Sequence, residues 1–182
     1  EEPLLPMDLF NNRVFSGSAV NGFLTGMAMF GLISFIPLFV QGVIGTGPTA
    51  AGSVLTPLLL AWVLFSIVGG RLLLRLHFRS VMLCGMLLMV VGFGLLDMMS
   101  SKSAIHIILF NVALIGAGMG LVMITQLIAV QSTVPRERLG IATSTAHFFR
   151  SIGGAVGVAV MGTVMTQRMN DQLLRIGSGT AD

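Results

Sequence analysis

Charge is what this sequence has least of. Only 9% of its 182 residues are Asp, Glu, Lys or Arg, against about a quarter in an ordinary soluble domain. Hydrophobic residues make up 54%, and the mean hydropathy is +0.94. A chain so poor in charge cannot clothe a water-facing surface, so it reads as an integral membrane protein. The net charge of +3 is spread over short loops. There is no basic face with interleaved aromatics, which argues against a nucleic-acid partner. A lone cysteine, Cys84, excludes an internal disulfide and matches no metal-binding spacing. His77, His106 and His147 stand far apart and form no ligand cluster. Neither metal nor cofactor is therefore expected. No secretory signal is visible. The opening EEPLLPMDLF is acidic and lacks an initiating methionine, as the interior of a longer polypeptide would.

What is present is a series of long charge-free runs. A transmembrane helix needs about 20 apolar residues. No charge occurs from Val14 to Gly70, which is room for two spans divided by the Gly- and Pro-rich QGVIGTGPTA at 41–50. Five spans are expected, near 15–40, 50–70, 80–96, 105–130 and 139–167. In the last, the hydrocarbon part is 151–167 and the polar stretch 139–149 is a helical extension outside it. Residues 1–14 form a lead-in and 169–182 a polar tail. Backbone polar groups in lipid must bond within their own helix, and the alternation of a membrane barrel is absent. The fold class is thus an all-α polytopic bundle embedded in a lipid bilayer. Pro37 and Pro57 should kink or interrupt their helices.

Arg13, Arg71, Arg75, Arg79, Arg136, Arg138 and Arg150 gather on one side of the spans. Lys102, Arg168 and Arg175 lie on the other. The bias of basic residues towards the cytoplasm makes the first side internal. The N-terminus is then cytoplasmic and the C-terminus external, in a multi-pass protein of the cell (plasma or inner) membrane. Arg136, Arg138 and Arg150 are expected to anchor the cytoplasmic end of the fifth span. Arg150 would snorkel to the headgroups.

Small residues mark helix contacts in lipid, where association relies on close packing. Gly22 and Gly26, Gly116 and Gly120, and Gly153 and Gly157 each carry the G-x-x-x-G spacing, with Gly154 beside the last pair. They are read as packing positions or, more sharply, as a moving contact. GAGMG at 116–120 lacks the third glycine of a dinucleotide loop and sits in a membrane span, so that reading fails.

Polar residues in spans are expensive and tend to face the bundle interior. Ser18, Asn21 and Thr25 share one helical face, while Asn111, Gly118, Thr125 and Ser132 recur every seven residues, with Gln126 alongside. They suit either a substrate cavity or hydrogen bonds between helices. The cavity candidates are Asn21, Thr25, Asn111, Thr125 and Gln126. No carboxylate lies deep in a span, and Asp97 is a rim residue. An intramembrane enzyme would need a serine–histidine pair, two aspartates or a metal cluster at membrane depth, and none is legible. The chain is not expected to be an enzyme. The 13 methionines suit a lining that adapts to irregular ligands, or simply face lipid.

GGRLLLRLHFRS at 69–80 resembles the cytoplasmic loop signature of the major facilitator superfamily, G-x-L-x-D-R-x-G-R-[RK]. Gly70, Leu72, Arg75 and Arg79 match it, and Arg71 lies within it. Leu74 replaces the acidic residue and His77 the second glycine, as is usual for the second copy of the motif. GAGMGLVMITQLIAVQSTVPRERLGIATSTAHFFRSIGGAVGVAVMG is similar to the fourth and fifth helices of the C-terminal half in the fourteen-span drug/proton antiporter branch, the EmrB/QacA type. PLFVQGVIGTGPTAAGSVLTPL resembles the first external turn of that half.

The resemblance implies the C-terminal half of an alternating-access carrier, without its last helix, partnered by an N-terminal half that holds the coupling carboxylates. It implies a small-molecule substrate and protons as partners. Gly70, Arg75 and Arg79 would help latch the cytoplasmic side, and Asn21 and Gln126 would touch substrate. The cargo would be a drug or another small amphiphile. Superfamily carriers of lipids, siderophores or amino acids, and a non-transporting membrane remnant or assembly partner, remain alternatives.

Overall fold

The computed structural model describes residues 13–45, 47–98 and 105–179. Helix α1 runs Arg13–Phe39 and continues as a π-helical turn, Val40–Ile44. Pro37 lies inside α1. The helix does not break there but widens one turn later, a local adjustment of the kind that re-satisfies backbone groups around a proline in lipid. Gly45 ends it with φ +72, a left-handed conformation open to glycine at no steric cost. Its N–H donates to the Gln41 carbonyl at 3.2 Å.

The short helix α2, Pro48–Ser53, starts with proline in its first turn, where no N–H is needed. It stops at Ser53, and α3 resumes over Leu55–Leu72. Pro57 explains the break. A proline ring crowds the carbonyl four residues back, and that residue is Ser53. Pro57 interrupts the span as expected, but ahead of its own position. A turn over residues 73–77 leads to α4, Phe78–Asp97, and α5 follows at Ile105–Ser132. A single 3₁₀ turn, Arg136–Arg138, precedes α6, Leu139–Gly179.

Five helices among the described residues are long and apolar enough to cross a membrane: Val14–Gly42, Ala51–Leu72, Phe78–Asp97, Ile105–Ser132 and Arg136–Asn170. The protein is a multi-pass membrane protein. The first three spans start and stop within a few residues of the charge-free runs. The last is one continuous helix from Leu139, within which Ser144 and Thr145 fold their hydroxyls back onto the Ile141 carbonyl at 3.0 and 2.8 Å. A polar stretch that satisfies itself in this way need not leave the bundle.

Helix α5 is the core. Of its apolar window 67% is buried, against 28% or less in every other span. The remaining helices keep large apolar side chains outward, such as Val20, Leu60, Leu87 and Val90. Those are faces for lipid.

The extensive contacts are α3 on α5, α1 on α6 and α4 on α5. Two of these pairs cross over, the first span α1 packing on the fifth, α6, and the second span α3 on the fourth, α5. Gly116 and Gly120 of α5 lie against the α3 backbone at Leu58 and Trp62, as Gly153 and Gly157 of α6 lie against the α1 backbone at Phe23 and Met27.

Candidate functional site

A polar relay crosses the bundle from α6 through α5 to α1. Arg150 Nη2 donates to Gln126 Oε1 at 3.1 Å. Gln126 Nε2 donates in turn to the Ser18 carbonyl at 2.6 Å. The glycines of α1 make this possible. A Cβ at Gly22 would stand 2.6 Å from Gln126 Nε2, and one at Gly26 would overlap the Arg150 carbonyl. Only bare backbone lets the Gln126 amide lie across α1 and lets α6 approach.

The register has a consequence for Arg150. Gly26, its neighbour, is close to the middle of the Val14–Gly42 span. Arg150 therefore leaves α6 deep in the bundle and is half-buried, with its Nε fully enclosed. In the bundle its guanidinium is directed at Gln126, whereas from the sequence it was expected to reach for the headgroups. Helix α6 enters the bundle more than two turns before Arg150, and Gln126 offers an inward acceptor. Arg136 and Arg138 do lie exposed on the 3₁₀ turn.

Arg150 and Gln126 line a cleft of about 190 Å³ between α3, α5 and α6, with Trp62, Ser66, Thr143 and His147. Ser66 also ties α3 to α5 by donating to the Gly120 carbonyl at 3.4 Å. Trp62, Ser66 and Thr143 were not legible as site residues. Trp62 is the one tryptophan of the chain and Ser66 follows it at helical spacing, which was the available signal.

A larger cleft of about 780 Å³ opens between α1, α4 and α5 at the end that carries the 73–77 turn. Ser18, Asn21, His77, Arg79, Met82 and Met86 line it. Asn21 Nδ2 approaches Met82 Sδ at 3.9 Å, and Thr25 Oγ1 donates to Asn21 Oδ1 at 3.5 Å.

The five cavity candidates are thus not gathered into one lining. Gln126 faces the first cleft and Asn21 the second. Thr25, Asn111 and Thr125 are buried between helices. Thr125 donates back to the Leu121 carbonyl at 2.6 Å. Helix α5 is enclosed on nearly every side, so most of its polar stripe has no cleft to face.

In the loop motif, Arg71, Arg75 and Arg79 are exposed and Gly70 is half-buried. The close approach falls one residue earlier. A Cβ at Gly69 would stand 2.8 Å from Ile124 Cγ2, whereas Gly70 has room. Gly154 faces the Phe30 ring rather than backbone.

These features define a class first: a glycine-packed polytopic membrane bundle with crossed-over helix contacts and clefts between its helices, as membrane carriers have. Residues 1–158 match the Major Facilitator Superfamily, and the chain belongs to that family. It is 39% identical over 173 residues to the "Multidrug transporter protein MdtP" of Bacillus subtilis, covering 95% of this chain and 32% of that protein. It is 34% identical over 180 residues to "Multidrug resistance protein 3" of the same organism, covering 98% and 35%. It is 28% identical over 166 residues to a "Tetracycline resistance determinant" of Streptomyces rimosus, covering 91% and 48%. The chain therefore spans about a third of the length of the two Bacillus relatives.

Proposed function

We propose that the chain forms the C-terminal transport bundle of a proton-coupled carrier that exports drugs or other small amphiphilic molecules by alternating access. The observation that carries this reading is the Arg150–Gln126–Ser18 relay, which sets a guanidinium and an amide beside a largely apolar cleft inside the bundle. The names of the relatives, multidrug and tetracycline resistance, favour drug-like cargo.

In this reading an N-terminal half completes the translocation path and carries the proton-binding carboxylates. The end bearing Arg71, Arg75, Arg79, Arg136 and Arg138 faces the cytoplasm, following the basic bias of internal loops. Gly70, Arg75 and Arg79 latch that side. Asn21 and Gln126 reach substrate from two clefts, and Thr25, Asn111 and Thr125 hold the helices behind them. Gly153, Gly154 and Gly157 let α6 shift on α1 as the halves rock.

Accumulation of a fluorescent lipophilic dye in cells expressing the full-length carrier tests the function. Expression should lower accumulation several-fold, and collapsing the proton gradient should abolish the difference. Equal accumulation with and without the carrier, in both conditions, counts against export.

A further inference from the structure

The cleft between α3, α5 and α6 holds a positive charge that the described part of the molecule does not balance. Arg150 offers Nη2 to Gln126 Oε1, a neutral acceptor. The Gln126 amide is itself committed to the Ser18 carbonyl. Arg150 Nε is buried and has no hydrogen-bond partner among the described residues. The cleft is lined by Trp62, Ser66, Met123, Leu127, Thr143 and His147 among others, and no carboxylate is among them. Of the acidic residues whose side chains are described, Asp97 closes α4 at the end away from the 73–77 turn, and Glu137 is exposed on the 3₁₀ turn.

A guanidinium at this depth sits in low-dielectric surroundings, where its attraction for an anion is far stronger than in water. Ionisable groups in membrane spans are costly and pair with an opposite charge or line a ligand path. The planar fork of arginine matches a carboxylate with two parallel hydrogen bonds. Beside Arg150 the cleft offers an indole, Met123 and Leu127 for an apolar body, and the Thr143 hydroxyl as a neutral donor.

We propose that this cleft binds an amphiphilic organic acid, with its carboxylate on Arg150 and its ring against Trp62, Met123 and Leu127. The inference rests on the transport reading and narrows the cargo to anions rather than lipophilic cations. A cleft of about 190 Å³ holds the carboxylate and an adjoining ring, and a larger cargo extends from it into the space between the halves. A lipophilic cation is repelled at the same place.

The test uses the full-length carrier in lipid nanodiscs and three probes sharing one ring: 2-naphthoate, 2-naphthamide and a trimethylammonium naphthalene. The wild type should bind the acid at least tenfold more tightly than the amide or the cation. Arg150→Gln should bring the acid to the level of the amide, and Arg150→Lys should restore part of the preference. Trp62→Leu leaves the relay intact and should weaken acid and amide together while keeping the preference between them.

A wild type that does not distinguish acid from amide overturns the proposal. Equal weakening of acid and amide in Arg150→Gln also overturns it, because the guanidinium then serves a carboxylate of the carrier itself. Export is judged separately. Selective binding of the acid with no efflux of an anionic dye from cells rejects the transport reading and leaves the site standing. Efflux without acid preference does the reverse.

Discussion

Gly153 and Gly17 are both glycines in membrane helices, yet they stand in opposite surroundings. A Cβ at Gly153 would overlap the Phe23 carbonyl, whereas nothing lies within 4 Å of the same position at Gly17. Backbone cannot step aside as a side chain can. Gly153→Ala should therefore destabilise the full-length carrier by about 1–3 kcal/mol, the usual penalty of overpacking. Gly17→Ala should be neutral or stabilising by up to about 1 kcal/mol, because alanine is the better helix former. Melting midpoints of the two purified variants decide the matter, and equal shifts would contradict the contact. Gln126→Leu removes both bonds of the relay and should lower stability by about 1–3 kcal/mol, since one of them serves a charge. The glycine spacing was legible in the sequence, but the partner of each glycine was not, because G-x-x-x-G marks a close approach without saying to what. The partner of Arg150 was not legible for a related reason. A charge in an apolar chain reads as the edge of a span, and only the α1–α6 register brings it beside Gly26 and Gln126.

At the scale of elements, α5 differs from every other helix. Ile115 is fully buried at its centre, whereas Leu87 on α4 is 63% exposed to the surroundings of the bundle. Ile115→Ala should cost about 2 kcal/mol or more through the cavity it leaves. Leu87→Ala faces lipid and should stay within about 0.5 kcal/mol. Thermal unfolding of the full-length carrier with each change compares them, and a larger loss at Leu87 would mean that α4 rather than α5 is central. Five spans were legible because charge-free runs of the right length leave few alternatives. The break at Ser53 was half legible, since Pro57 announces an interruption whose position follows from the carbonyl four residues back. The enclosure of α5 was not legible. Its seven-residue polar stripe looks the same whether the facing space is water or another helix, and for Asn111 and Thr125 it is helix.

At the scale of the molecule, the relay joins the packed pair α1–α6 to α5, which packs on α3 and α4. A shift of α5 against α1 and α6 would stretch both hydrogen bonds of the relay. In the proposed reading, transport also needs an N-terminal half that closes the path over this cleft and supplies the proton-binding groups.

The most direct measurement is made in proteoliposomes holding the full-length carrier, with an imposed pH gradient and a labelled amphiphile outside. Vesicles with an acidic interior should accumulate the label in molecules oriented with the arginine-rich end outward, and dissipating the gradient should release it. Equal label in vesicles with and without the gradient would contradict the account, because a bundle of this family that binds amphiphiles without moving them against a proton gradient is not the carrier proposed.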